Sequence, residues 1–89
     1  MPVLRIPTPL RTYTNGQAEV SVRGGNVGEA MENLIEQFPV LEPHLYNGSE
    51  LRPFVNLFLG EDNIKDLRGL ETPLTDDARL RLIPSIAGG

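Results

Sequence analysis

The chain contains no cysteine and a single histidine among its 89 residues. Without cysteine, a disulfide framework, a thiolate metal site and a cysteine nucleophile are all excluded. The one histidine, His44, has no second histidine or thiolate to form a metal site with, so we interpret it as a solvated loop residue. No apolar run approaches the ~20 residues that a membrane span requires. We therefore expect a soluble, cytoplasmic protein with no metal site and no membrane partner.

The chain also lacks an excess of basic residues. The net charge is −4, and the carboxylates are spread along the chain. Nucleic-acid-binding domains usually present a basic face, so we expect no nucleic-acid partner. The length allows one compact core but not two, and 39% apolar residues are ordinary for a globular domain. The composition therefore predicts a single small globular domain.

Alternating apolar side chains predict four strands. They cover residues 3–6, 19–23, 54–59 and 79–83. In each of them, apolar residues recur at every second position, the period of a strand with one buried face. Asn15-Gly16 tolerates positive φ at both positions and predicts a turn that joins the first two strands as a hairpin. Pro84 lacks a backbone donor and is expected to end the last strand.

One helix is predicted over residues 27–38, because apolar side chains recur there at helical spacing. Asn26 can cap its first turn, and Glu29 stands three residues later as in a capping box. Pro39 is expected to end it. Residues 40–52 are interpreted as a loop, and residues 60–77 as a polar, turn-rich stretch with a short strand or turn around residues 72–74. The order of elements predicts an α+β fold in which one helix covers one face of a mixed sheet.

The last two residues are Gly88 and Gly89. Small residues are common at chain ends, which is one interpretation. The other is chemical: a terminal carboxylate must enter an enzyme cleft to react, and glycine has no Cβ to clash with a narrow channel. Coupling to ATP would turn the carboxylate into an acyl-adenylate, and a sulfur donor would then turn it into a thiocarboxylate. With Gly89 terminal, we expect no trimming of this form.

Several segments together carry a resemblance to a known family. They are the helix of residues 26–38, the run of residues 54–59, the stretch of residues 72–77 and the end of residues 82–89. They resemble the MoaD/ThiS family of ubiquitin-like sulfur carriers over nearly the whole chain. Within this family, the opening Ile6-Pro7-Thr8, the long loop before Arg52-Pro53-Phe54 and the Ile-Ala-Gly-Gly end are similar to the cysteine-biosynthesis sulfur carriers.

The resemblance implies a β-grasp fold, with a four- to five-stranded mixed sheet gripping one helix in residues 1–84 and a flexible tail in residues 85–89. It also implies that an E1-like enzyme uses ATP to adenylate Gly89, and that the resulting thiocarboxylate donates sulfur to a pyridoxal-phosphate cysteine synthase. Gly88, Ala87 and Ile86 would form the tail that enters these enzymes. No cofactor would be bound and no catalytic residue would be needed, so the chain would not be an enzyme.

A docking surface is predicted on the sheet face that the helix leaves open. Phe54 and Phe58 alternate with the inward-facing apolar residues of their strand and would lie beside Arg79 and Arg81, and also Arg5. An exposed aromatic patch among arginines suits docking on partner enzymes. The alternative is that the long loop covers Phe54.

Three other functions remain open at the level of the sequence. The same ending would serve a sulfur carrier for molybdopterin, thiamine or tRNA thiolation. It would also serve a covalent protein modifier, for which Lys65, the single lysine, would be the one internal attachment point. A third function is a non-covalent interaction module, in which the tail chemistry is incidental.

Overall fold

The computed structural model describes residues 1–84. The predicted tail of residues 85–89 lies outside the described residues. The strands are β1 (Val3–Arg5), β2 (Glu19–Ser21), β3 (Tyr46–Asn47), β4 (Glu50–Leu51), β5 (Val55–Leu59), β6 (Asp62–Asn63) and β7 (Arg79–Pro84). The helices are α1 (Val27–Gln37) and α2 (Glu42–Leu45), with 3-10 turns at Thr8–Tyr13, Pro39–Leu41, Ile64–Asp66 and Gly69–Glu71.

Five strands form one mixed sheet in the order β2-β1-β7-β5-β6. The central strand β7 is parallel to β1, with Leu4 opposite Leu80, and the other pairs are antiparallel. The predicted pairing of the first two strands is confirmed, although a 3-10 helix, Thr8–Tyr13, lies between them. Asn15 (φ 55°) and Gly16 (φ 80°) turn the chain back toward β2, as their sequence predicts.

Helix α1 covers one face of this sheet. The Asn26 Oδ1 accepts a hydrogen bond of 2.8 Å from the Glu29 backbone N–H, which confirms the predicted cap. The Glu29 carboxylate in turn accepts one of 2.7 Å from the Gly25 N–H. The helix ends at Gln37, one residue earlier than predicted, because Phe38 precedes Pro39 and adopts a non-helical backbone.

The core lies between α1 and the sheet. Its members are apolar side chains from every second sheet position and from one helix face, including Leu4, Val20, Val27, Ala30, Met31, Leu34, Leu57, Leu80 and Leu82. Each large side chain buried in this way stabilises the fold by about 1.5–3 kcal/mol. The period-2 and helical patterns therefore predict the inner face correctly.

Side chains of α1 also cover the free edge of β2. The Gln37 side-chain amide donates to the Ser21 carbonyl (2.9 Å), and the Arg23 N–H donates to the Asn33 side-chain oxygen (3.0 Å). These bonds occupy backbone groups that an edge strand otherwise leaves unpaired.

The interpretation of residues 40–52 as a loop is wrong. This segment contains α2 and the β3–β4 hairpin, and it buries Leu41 and Leu45 completely. Pro43 lies in the first turn of α2, where a missing N–H costs no hydrogen bond. His44 is exposed as expected, but it lies in this helix and stacks on Tyr13, with ring centroids 4.4 Å apart.

Residues 60–77 contain more structure than their polar composition predicts. They form β6 and two 3-10 turns, and Ile64 is buried in the core. The strand or turn predicted around residues 72–74 is an isolated bridge between Pro73 and Asn26. It ties this stretch to the start of α1 and lies outside the five-stranded sheet.

Candidate functional site

The sheet face opposite α1 carries the side chains that are predicted to dock on partner enzymes. Phe58 of β5 lies opposite Arg81 of β7. On the other side of β7, Arg5 of β1 lies opposite the same Arg81. Arg79 lies two residues before Arg81 and shares its face. We call the residues Phe54, Phe58, Arg79, Arg81 and Arg5 the docking face. The structure brings Phe58, Arg79, Arg81 and Arg5 together, whereas Phe54 lies at the sheet end near Pro84. The docking role of all five stays a prediction.

The Arg81 guanidinium lies over the Phe58 ring, 5.4 Å from its centroid. At this distance the positive charge is attracted by the electron-rich ring face. A second contact holds the guanidinium in place, because it donates a hydrogen bond of 3.1 Å to the Gly60 carbonyl. Phe58 is half-buried. An arginine and an aromatic ring are thus presented as one ordered unit.

The docking face is positively charged although the chain is acidic. Arg5 and Arg79 both lie 3.6 Å from the Glu19 carboxylate, and all three side chains are substantially exposed. Arg81 adds a third guanidinium group to this face and makes no ion pair among the described residues. The net charge of this surface is therefore positive, and it attracts an acidic partner surface.

Phe54 lies in the turn directly before β5 and is 40% exposed. The long segment before it therefore does not cover it. The next residue, Val55, lies opposite Pro84, and the neighbouring Ile83 is also 40% exposed. Two exposed apolar side chains thus occur at the sheet end where β7 reaches the last described residue.

A cleft of about 330 Å³ also reaches Pro84. Arg5, Arg11 and Arg81 line it together with apolar side chains. Arg11 comes from the Thr8–Tyr13 turn, where its Nε donates a hydrogen bond of 3.0 Å to the Ile6 carbonyl. Arg11 is not predicted from the sequence, because the 3-10 turn that places it beside β7 has no periodic pattern of apolar residues.

The remaining predicted site residues are Gly89, Gly88, Ala87 and Ile86, and they lie outside the described residues. Within residues 1–84, no cluster of three or more His, Asp or Glu side chains is arranged to hold a metal ion. Over the same residues, no helix has the length and apolar character needed to cross a membrane.

The fold and the patterning define a class of protein, and comparison with known proteins identifies the family. Sulfur carrier protein CysO of Mycobacterium tuberculosis is 31% identical over 87 residues, covering 94% of each chain. A putative sulfur carrier protein of Archaeoglobus fulgidus is 35% identical over 49 residues, 55% of this chain and 56% of its own.

Solved structures agree with these sequence matches. A chain of the Amycolatopsis orientalis BexX/CysO complex superposes with a TM-score of 0.91 at 28% identity, covering 100% of both chains. The Mycobacterium tuberculosis CysO structure gives a TM-score of 0.87 at 27% identity, covering 97% of this chain and 100% of its own. These matches define the class, a ubiquitin-like β-grasp protein of the sulfur-carrier type.

Residues 4–89 match the ThiS family, and the chain belongs to that family. The predicted β-grasp fold and the predicted resemblance to MoaD/ThiS carriers are confirmed. The matched relatives are carrier proteins, which confirms the prediction that this chain is a carrier and not an enzyme.

Proposed function

We propose that the chain carries sulfur for cysteine biosynthesis as a thiocarboxylate on Gly89. The observation that carries this proposal is the 31% identity to sulfur carrier protein CysO along 94% of both chains. The family match also extends through Gly89, the residue that would be activated. The chain has no cysteine, so a side-chain thiol cannot hold the sulfur.

The proposed chemistry takes place on the tail in two steps. In the first, the Gly89 carboxylate attacks the α-phosphorus of ATP in an E1-like enzyme, and acyl-adenylate and pyrophosphate form. In the second, a hydrosulfide donor displaces AMP from the acyl carbon and leaves a thiocarboxylate. Its sulfur then replaces the leaving group of an activated serine in a pyridoxal-phosphate cysteine synthase. Hydrolysis of the acyl–sulfur bond releases cysteine and restores the Gly89 carboxylate. This chain binds no cofactor of its own, and the activating enzyme supplies the ATP site.

The folded domain provides the surface that these enzymes recognise. In the proposal, the docking face binds the activating enzyme through the Phe58–Arg81 pair and the exposed Phe54, while the tail enters the active site. The positive charge of this face and its position beside Pro84 support that role. A relative that superposes closely occurs in a complex with a second protein, BexX. Since the reactions need ATP and a reduced sulfur donor, we place the protein in the cytoplasm.

Intact-mass spectrometry tests the carrier chemistry directly. The chain is incubated with ATP, sulfide and an activating enzyme that is active on a related carrier. We expect a mass increase equal to the difference between sulfur and oxygen, and this increase requires ATP. Deletion of Gly89, or addition of one alanine after it, is expected to abolish the increase and to leave the thermal unfolding transition nearly unchanged.

Two results would contradict the proposal. One is an unchanged mass with an enzyme that converts its own carrier in the same buffer. The other is a thioester or isopeptide adduct with other proteins in place of the thiocarboxylate, which would indicate a covalent modifier. Transfer from the finished thiocarboxylate to a cysteine synthase, compared with transfer to molybdopterin, thiamine or tRNA-thiolation enzymes, distinguishes the pathways.

A further inference from the structure

A second cleft lies on the helix side of the molecule. It has a volume of about 350 Å³ and lies between α1, α2 and the turn of the β3–β4 hairpin. Most of its lining is apolar, and the half-buried side chains of Ile35 and Leu70 contribute to it. Clefts of this size and character are suited to side chains of a ligand or partner.

Acidic side chains surround this apolar cleft. Glu32 and Glu36 lie one turn apart on the same face of α1, and Glu42 comes from the start of α2. Among residues 1–84, the ion pairs are those of Glu19 with Arg5 and Arg79. The three carboxylates of the cleft therefore lack a cationic partner within the described part of the chain.

Tyr46 lines the cleft together with these carboxylates. Burial raises the pKa of Tyr46 above its ordinary value, and the charges of Glu32 and Glu42 raise it further. Both carboxylates thus act on a phenol at the cleft wall. The tyrosine ring also offers a face on which a guanidinium or ammonium group can lie.

The cleft shares no residue with the docking face or with the cleft beside Pro84. Its residues belong to the helix layer and its connections, whereas the docking face is the opposite surface of the sheet. A protein bound in the cleft would therefore leave the docking face accessible.

We propose that this cleft binds a segment of a partner protein in which an arginine or lysine is adjacent to an apolar side chain. The apolar side chain packs on Ile35 and Leu70, and the cation lies between Glu32, Glu36 and the Tyr46 ring. Charge complementarity selects this occupant, because the rim is acidic and unpaired while the floor is apolar. This second binding surface does not depend on the proposed sulfur chemistry.

A titration with a model peptide, followed by amide chemical shifts, tests the proposal. The probe is acetyl-Leu-Arg-Ala-Leu-Arg-amide, and the matched peptide has glutamate in place of both arginines. We expect the arginine peptide to shift amides of α1, α2 and the β3–β4 turn at millimolar concentration, and the glutamate peptide to leave them unchanged. Added salt is expected to weaken the binding, because the ion pairs are exposed.

Charge-matched variants separate the cleft from the net charge of the chain. The double variant Glu32→Gln with Glu36→Gln is expected to bind the arginine peptide about fivefold more weakly. The control variant Glu61→Gln with Asp76→Asn removes the same charge from exposed residues outside the cleft lining. It is expected to retain the original affinity, and both variants are expected to keep their thermal transitions.

Several outcomes would overturn the proposal. They are the absence of shifts at millimolar peptide, shifts centred on the docking face, and an equal loss of affinity in the control variant. Shifts of the cleft amides on raising the protein concentration without peptide would show that a second copy of this chain is the occupant. Shifts produced by magnesium alone would show a cation site.

Discussion

Gly24 is a residue whose missing side chain determines how the chain passes from β2 to α1. A Cβ built at this position would lie 2.5 Å from the Ala30 backbone nitrogen and 2.9 Å from the Glu29 backbone carbon. Neither neighbour is the far end of a flexible side chain, so the backbone itself would have to shift. Only glycine allows the backbone between β2 and α1 to pass this close to the first turn of α1.

Gly24→Ala is expected to lower the free energy of unfolding by about 2 kcal/mol, as overpacking does in well-packed sites. Gly25→Ala is the control. A Cβ at Gly25 would meet only the Glu29 Oε1, at 3.5 Å, which is an ordinary contact. Urea unfolding monitored by circular dichroism measures both variants. Equal stabilities of the two would show that the junction relaxes without cost.

Tyr46 makes stability depend on pH in the alkaline range. Its pKa is raised in the folded chain by burial and by Glu32 and Glu42, so the folded state holds the phenol proton more tightly than the unfolded state. The free energy of unfolding should therefore have its highest value below the ordinary tyrosine pKa of 10.0, which applies to the unfolded chain. It should fall as the pH rises through the raised pKa.

Urea midpoints at about pH 9 and about pH 11 measure this fall. Tyr46→Phe is expected to reduce it, whereas Tyr13→Phe, which removes the other tyrosine hydroxyl, is expected to leave it as in the original chain. The same alkaline loss in all three proteins would show that Tyr46 does not contribute to it.

At the scale of elements, the segment of residues 40–52 is the main difference between prediction and structure. Its proline and its Asn-Gly pair are typical of loops, yet proline also fits the first turn of a helix, and glycine at the first loop position, here Gly48, also turns a tight hairpin. The segment is too short to show a helical period. Its burial depends on the sheet and α1 being in place, which local sequence cannot show.

Leu45→Ala tests whether this segment belongs to the core. Leu45 is 1% exposed, and its truncation is expected to cost about 3 kcal/mol. Val40→Ala is the control in the same segment, because Val40 is 51% exposed and loses little contact. Chemical unfolding of the two variants gives the comparison. A small cost at Leu45 would mean that the segment can detach without unfolding the domain.

For the whole molecule, the two surfaces differ in charge. The docking face has three guanidinium groups and one carboxylate, which pairs with two of them, and the helix-side cleft has three unpaired carboxylates among the described residues. A chain with a net charge of −4 thus presents a basic surface to one side. Composition alone does not predict this difference in charge, because the difference depends on which sheet face each arginine occupies.

Phe58→Asp tests the docking face. It is expected to lower kcat/KM for adenylation by at least about tenfold, since a central aromatic residue often dominates an interface. Val40→Asp introduces the same charge at an exposed apolar residue on the helix side and is expected to leave the rate unchanged. Both variants should retain the folded circular dichroism spectrum. Equal rates for Phe58→Asp and the original chain would remove this face from the proposed function.

The sequence predicts an element correctly wherever its apolar residues repeat over enough positions to show a helix or strand period. Helix α1 and strands β1, β2, β5 and β7 are predicted by apolar periodicity, and their inner faces are correct. The parallel pairing of β1 with β7 could not be predicted from the sequence. The two strands lie far apart along the chain, and local patterns do not show which distant strands pair. Within the candidate site, Phe58, Arg79 and Arg81 were predicted by alternation alone. Arg11 required knowledge of how a short turn packs.

The pairing of β7 between β1 and β5 has a consequence for quality control. The segment proposed to carry sulfur follows directly after the central strand, which is the last of the described strands along the chain. A ribosome-bound or truncated chain that lacks this strand has a gap in the middle of its sheet. Partner enzymes would then encounter a reactive end only on molecules whose hydrophobic interior is already complete.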